Sequence, residues 1–331
     1  MFNKNNKILS ASRIKTLESC SWSYHCNYVL KVPQKSNDGA NRGTVCHLVF
    51  ELLLKKRHKK YFDSIIKNAS TLSCKPVVRL VRKNLEKLGA LNEENFDMCM
   101  DMILVGLNHE FYGTGKETED PHPEVEFLLE SKSPEYKIRG YIDKTFKYKD
   151  KVKIVDYKSS KYKFRGDDLT ANVQAMAYTL ASKKKIYPKI KNVEIEFVFL
   201  KFPRQPAQQV HVSDEQLKGF EHYLEVVYKL INNFTLSNAK TNFASDNPST
   251  RWLCEAGKTW KCPYYDPVEY YAIKDEYDDI VKTAFEKEDL RKLKSGERLV
   301  KLRYEGCPAH SYAHSSTPSD GDEDDDPFDW A

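Results

Sequence analysis

Nowhere in the 331 residues do about eighteen apolar residues run together, so no helical membrane span is expected. Met1-Phe2-Asn3-Lys4 opens neither the apolar stretch nor the small-residue cleavage site of a secretory signal, which predicts an intracellular protein, in the cytoplasm (a host's cytoplasm if the source is viral). The Gly-x-x-x-x-Gly-Lys-Ser/Thr loop that cradles nucleotide phosphates is missing, so ATP-driven unwinding would have to come from another chain. Internal repeats are absent as well. In an intracellular chain of this size the eight cysteines are not expected to form a disulfide framework.

What is present is a soluble composition, 40% hydrophobic and 31% charged, long enough to bury a substantial core. The formal charge of +5 conceals an asymmetry. Seven acidic residues crowd between Asp320 and Asp329 with no Lys or Arg among 320–331, and without them the rest of the chain carries +12. A basic body of this kind suits a polyanionic partner without identifying one.

Periodicity predicts a capped helix over 8–31, with Ser10 or Ser12 as cap and Ile14, Leu17, Trp22 and Tyr24 following. Polar residues 34–41, with Gly39, predict a loop. A helix is expected from Thr44 to Lys60, where Val45, Leu48, Val49, Leu52 and Leu53 recur at helical spacing, and more helix from about 75 to 110. After Pro121-His122-Pro123 the texture changes. Residues 125–129, 137–148 and 152–158 predict three consecutive strands, with turns at Ser133-Pro134 and Lys149-Asp150. A helix at 170–183, a strand at 193–199 and a helix at 213–234, opened by the capping-box pair Ser213 and Gln216, complete the pattern. The order predicts an α/β fold: one mixed central sheet flanked by helices, with a helical N-terminal part. Residues 311–331 are expected to be a disordered acidic tail.

The hairpin carries the chemistry. Side chains alternate along a strand, so Asp156 and Lys158 share a face that Tyr157 does not. The turn at 149–150 can bring Asp143 beside Asp156. Two carboxylates this close repel unless a cation lies between them, and hard oxygen donors suit Mg²⁺ or Mn²⁺. Such an ion polarises a phosphate and acidifies its water, while Lys158 holds the nucleophile or neutralises developing charge. The simpler alternative is a cross-strand ion pair between Asp143 and Lys158 at a solvent edge. On the helix before, Gly43, His47 and Glu51 fall on one face four residues apart. His47 can offer a nitrogen ligand and Glu51 can orient its ring. Gln174 and Tyr178, again four apart, can position a phosphate.

Gly43-x-x-x-His47-x-x-x-Glu51, Gly140-x-Ile142-Asp143, Asp156-Tyr157-Lys158 and Gln174-x-x-x-Tyr178 stand in this order over about 135 residues. In this the sequence resembles the RecB-type nucleases of the PD-(D/E)XK superfamily, phage and CRISPR-associated exonucleases among them, and residues 8–31 are similar to the family's N-terminal Ser-x-Ser…Cys…Tyr segment. The resemblance implies a restriction-endonuclease-like fold, with one nuclease domain over 1–310. Within it a helical insertion is expected at about 60–120 and a cysteine-bearing subdomain at 236–310. It also implies that His47, Asp143, Asp156 and the Tyr157 carbonyl bind Mg²⁺ or Mn²⁺, that Lys158 is the catalytic lysine with Asp143 and Asp156, and that Gln174 and Tyr178 hold substrate. Glu126 matches an acidic position of some members. The implied reaction is hydrolysis of DNA phosphodiesters, by an exonuclease at DNA ends in replication, recombination or DNA breakdown. A structure-specific or restriction-like endonuclease and a non-cutting DNA-binding scaffold or helicase partner are the alternatives.

Several members carry an iron–sulfur cluster on one early and three late cysteines. Cys20, Cys254 and Cys262 resemble three of those positions, but the close-spaced last cysteine is missing between Asp266 and Tyr271. Cys307 is the candidate replacement. A 4Fe–4S cluster, a zinc site that includes His310, and free thiols all remain open. The tail at 320–331, with Pro327, Phe328 and Trp330, is similar to acidic tips that dock a replication or recombination protein. It could equally compete with DNA for a basic groove or merely aid solubility.

Overall fold

The computed structural model describes residues 8–256 and 260–310; the acidic tail expected at 311–331 lies outside the described residues. In chain order the helices are α1 (Ala11–Ser19), α2 (Ser21–Tyr24), α3 (Asp38–Leu54), α4 (Lys59–Asn68), α5 (Lys75–Lys87) and α6 (Glu93–Asn108). The strands β1 (His122–Lys132), β2 (Glu135–Lys147) and β3 (Lys151–Lys158) follow, then α7 (Asp167–Thr170), α8 (Val173–Ala181), β4 (Asn192–Phe199), β5 (Ala207–Val210) and α9 (Asp214–Asn232). The last part holds α10 (Leu236–Ala239), the two-residue strands β6 (Glu255–Ala256) and β7 (Trp260–Lys261), and β8 (Val268–Lys274), β9 (Ile280–Ala284) and β10 (Arg298–Tyr304). None of the described helices is long and apolar enough to cross a membrane.

Several expected boundaries move, each for a local reason. The single helix predicted over 8–31 breaks at Cys20, whose extended backbone (φ −164°, ψ 112°) cannot continue a helix; its Sγ instead accepts from the Ser23 N–H and caps α2. The loop predicted over 34–41 is already helical from Asp38, because the Asn37 side chain accepts from the Ala40 N–H and starts α3 early. That helix stops at Leu54, where Lys55 turns extended, rather than at Lys60. The pattern from 75 to 110 divides into α5 and α6 at Gly89, which takes φ +64° while the Ala90 N–H returns to the Leu85 carbonyl. The capping box of Ser213 and Gln216 forms as expected.

The chain divides into two compact units. The larger comprises residues 8–15 and Lys35–Asn233. Its five-stranded sheet runs in the order β1-β2-β3-β4-β5, antiparallel throughout except that β3 and β4 are parallel. A parallel pair needs a crossover, and the segment between them supplies α8. Leu9 adds a bridge to Ile138. Helices α3, α5 and α6 close one face with Val49, Phe50, Leu53, Val81, Ile103 and Leu107 against Phe146, Val155 and Tyr157. Each fully buried side chain of this size contributes about 1.5–3 kcal/mol.

An ammonium group lies inside that apolar layer. Lys144 has no exposed surface; its Nζ donates to the Phe111 carbonyl at 3.2 Å and to the Tyr157 hydroxyl at 2.7 Å. The rings of Phe111, Phe146 and Tyr157 surround it at 4.8, 4.9 and 5.2 Å. Burial pulls its pKa down to about 7, with the charge of Lys153 adding to the effect.

The smaller unit, residues 16–34 with 234–310, holds the three-stranded antiparallel sheet β10-β8-β9. Its centre is hydrogen-bonded through aromatic side chains. Trp22 donates from Nε1 to the Tyr304 hydroxyl at 2.7 Å, which in turn donates to the Tyr264 carbonyl at 2.8 Å.

Candidate active site

The site forms at the ends of β2 and β3, beside the first half of α3. Register pairs Lys144 with Val155, and the ladder stops one residue short of Asp143 and Asp156. Beyond the end of that ladder the Tyr157 N–H has no strand partner on β2 and turns to the Asp143 side chain. Its Oδ2 accepts from the Tyr157 N–H at 2.8 Å, and its Oδ1 lies 3.1 Å from His47 Nδ1. Burial draws the imidazole down, yet the hydrogen bond and charge of Asp143, joined by Asp156, hold it above its ordinary value.

Asp156 is 3% exposed and densely braced. Gln174 Nε2 donates to its Oδ1 at 2.9 Å, and the Tyr178 hydroxyl lies 3.0 Å from the same oxygen. Gln174 Oε1 accepts from Lys158 Nζ at 2.7 Å. The Lys158 ammonium also stands 2.5 Å from Asp156 Oδ2, although that oxygen receives no hydrogen bond of acceptable geometry. The short distance is an ion contact, and one lone-pair side of Oδ2 stays unsatisfied. Burial holds this carboxyl above the usual range more strongly than Lys158 draws it down, and the negative charge of Asp143 adds to the rise.

Glycine permits the close approach. A Cβ on Gly43 would stand 2.8 Å from Ser159 Oγ, and one on Gly140 would stand 2.6 Å from the Phe127 ring, both too close for a side chain. Phe127 meets Tyr178 edge to face at 6.1 Å, so the second glycine seats the ring that backs the tyrosine.

A cavity of about 530 Å³ opens beside this cluster, lined by Gly43, His47, Glu51, Glu124, Asp143 and Tyr157 among others. Two residues read from sequence are placed differently from their expected roles. Glu51 lines the cavity but gives its carboxylate to Lys55 at 2.7 Å, so Asp143 rather than Glu51 orients His47. Glu126 is exposed and accepts from the Tyr141 hydroxyl. A further acid in the cavity, which the sequence reading missed, is Glu124 on β1, at φ +48°. Tyr178 is buried, with its hydroxyl between Asp156 and the Tyr141 carbonyl. It and Gln174 brace the carboxylate in this structure and do not line the cavity.

The donor set fits a hard cation. Two mutually repelling carboxylates, one with a buried oxygen that lacks a hydrogen bond, lie together with an imidazole. As arranged, Asp143 spends both oxygens on protein donors, and among the described residues no three metal-binding side chains meet at ligating distance.

A family model described as the PD-(D/E)XK nuclease superfamily matches residues 8–266, most of the chain. The chain belongs to the PD-(D/E)XK nuclease superfamily. Among solved structures this superfamily member is similar to a candidate exonuclease from Eubacterium rectale, at 12% identity and a TM-score of 0.47, covering 78% of this chain and 92% of that one. It is also similar to a protein from Vibrio cholerae, at 13% identity and a TM-score of 0.23, covering 70% and 58%. No curated protein matches it.

The smaller unit of this superfamily member gathers the four cysteines expected as ligands. All are free thiols. Burial raises Cys254, lifts Cys262 to about 12 and lifts Cys307 to about 11. A thiolate at Cys20 would raise each of the three further, as would one at Cys254 or Cys307 for Cys262. The sequence reading missed Cys26, whose thiol burial lifts to about 12 and which feels Cys307, Cys262 and Cys20. His310 stacks on Tyr265 at 4.3 Å, and its buried Nε2 has no hydrogen-bond partner.

Proposed function

We propose that this superfamily member is a divalent-metal-dependent deoxyribonuclease of the RecB type, an exonuclease that hydrolyses phosphodiester bonds at DNA ends in replication, recombination or DNA breakdown. The observation that carries the reading is the convergence of His47, Asp143, Asp156 and Lys158, with one oxygen of Asp156 left unsatisfied inside the fold. His47, Asp143, Asp156 and the Tyr157 carbonyl would hold Mg²⁺ or Mn²⁺, which when bound activates water and stabilises the leaving oxygen.

The protein's own groups account for the rest. Gln174 and Tyr178 fix Asp156 from the side of α8. Gln174 also holds Lys158, whose side chain keeps about a quarter of its surface open and whose ammonium can neutralise charge developing on a phosphate. On this reading the raised pKa of His47 sets a pH dependence. A proton on the imidazole competes with the cation, so the magnesium needed for half-maximal activity should fall as pH rises from about 6 to 8.

End-labelled linear DNA and covalently closed circles, each with magnesium, manganese or chelator, test the proposal. Linear DNA should lose its label with either metal, chelator should stop the loss, and circles should persist. Nicked or linearised circles would assign an endonuclease. DNA that is bound but never cut would leave a scaffold.

For the smaller unit we propose that Cys20, Cys254, Cys262 and Cys307 would hold a 4Fe–4S cluster, on the strength of their sequence positions alone, since among the described residues no three of them meet at ligating distance. Protein purified without oxygen should be brown, contain iron and sulfide, and lose both in Cys254→Ser. A colourless protein with bound zinc would assign the tetrahedral alternative that includes His310, and a metal-free one would leave plain thiols.

A further inference from the structure

Immediately after Lys158 the chain enters a loop, 159–166, whose sequence Ser-Ser-Lys-Tyr-Lys-Phe-Arg-Gly alternates basic and aromatic residues. Its architecture is built rather than slack. The Phe164 ring packs edge-on against Phe197 and Phe199 at 4.9 and 5.3 Å. Its backbone exchanges two hydrogen bonds with the Gln208 side chain, at 3.2 and 3.0 Å. Lys163 donates to the Gln205 carbonyl and lies over the Phe202 ring at 5.4 Å. These contacts tie the loop to the turn between β4 and β5.

Against that frame, Tyr162 is 78% exposed, an unusual place to hold an aromatic ring. Three cations gather close by. The Leu200 N–H donates to the Lys158 carbonyl at 2.9 Å, which sets Lys201 beside the start of the loop. Gly43 abuts Ser159, which brings the first turns of α3 and Arg42 to the same place. Lys161 and Lys201 make no ion pair among the described residues. Arg42 is 7% exposed; one arm donates to Asn95 Oδ1, but its Nε is buried with no hydrogen-bond partner. Lys201 is held below its ordinary pKa by burial and then by the charges of Arg42 and Lys161, as expected of cations brought together without an acid between them.

We propose that loop 159–165, with Lys201 and Arg42, is a subsite for a single-stranded segment of nucleic acid, in which Lys161 and Lys201 grip a backbone phosphate and Tyr162 stacks on an unpaired base. The inference rests on the nuclease reading and specifies its substrate as DNA with an unpaired strand at the site. A phosphate relieves the repulsion among the three cations. An exposed ring beside cations is a sequence-tolerant platform for an unstacked base, and a base inside a duplex has no free face to offer it. Three residues span at most about 10 Å, so one strand can occupy both Lys161 and the reacting centre at Lys158.

The test is fluorescence anisotropy of the full chain in chelator, with a short labelled oligothymidylate and a blunt duplex of equal length. Tyr162→Ala should weaken binding of the single strand about tenfold, with its salt dependence kept and duplex binding unchanged; Tyr162→Phe should restore the affinity. Lys161→Ala with Lys201→Ala should weaken it at least as much and flatten the log–log salt slope by about 1.4, near 0.7 for each lysine that no longer neutralises a phosphate. Absence of single-strand binding by the native chain, equal losses on duplex and single strand, or an unaltered slope in the double variant would overturn the subsite. Cleavage is scored separately. If these binding effects hold while magnesium and manganese give no hydrolysis, the nuclease reading falls and the subsite stands; if DNA is cut and the variants bind normally, the subsite alone falls.

Discussion

Lys158→Ala is expected to lower DNA hydrolysis by about 10²–10³-fold while the chain stays folded. The ammonium contacts Asp156 Oδ2 and donates to Gln174 Oε1, so on the proposed reading its loss removes a positive charge beside the carboxylate that would hold the cation. Breaking a buried ion pair usually costs several kcal/mol. Here Gln174 and Tyr178 still bond Oδ1, and a carboxyl already raised by burial can take up a proton in place of its lost partner. Asp143→Asn should be at least as damaging to activity. The amide oxygen can still accept from the Tyr157 N–H, so the local shape survives, but the charge that holds His47 and any cation disappears. Gel-based cleavage rates, with circular dichroism as the folding check, decide both. Normal turnover in either variant would break the assignment of the site.

The second large effect concerns stability. An unfolded lysine keeps its proton to about 10.4, whereas Lys144 in the fold releases it near 7. Between those values the unfolded chain binds more protons, so stability climbs as pH rises through the window, and below it the full penalty remains. That penalty is on the order of 5 kcal/mol. Lys144→Met removes it but strips the Tyr157 hydroxyl of its donor, which costs about 1–3 kcal/mol. The variant should therefore melt roughly 5–10 °C higher near pH 6.5, and the difference should shrink as pH rises and reverse by about pH 10. A gap that stays constant across that range would mean Lys144 does not titrate in the fold.

Much of the larger unit could be read from its residues because the signals were local. Alternation placed β2 and β3, β-branched and aromatic residues placed β4, and Ser213 with Gln216 placed the start of α9. The four-residue spacings of His47 and of Gln174 with Tyr178 marked the helix faces that meet at the site. What escaped depends on distant partners. The strand β5 is four residues rich in glutamine, and its pairing with β4 decides it. The sheet of β8, β9 and β10 is mostly half-exposed, so its strands lack a clear apolar face. Glu51 sits at ideal helical spacing from His47, but four residues further on Lys55 offers a full charge, which a carboxylate prefers to a distant ring. Glu124 reaches the cavity through a left-handed backbone kink that no spacing rule forecasts for a glutamate.

Asp143 has a consequence of its own. Because its carboxylate is already satisfied by an imidazole and a main-chain amide, the resting centre needs no ion to be held in shape. Loading would be an exchange, in which the incoming cation evicts a proton from histidine and takes over a bond that the protein had made with itself. On the proposed reading, chelation should then switch off chemistry without melting the fold.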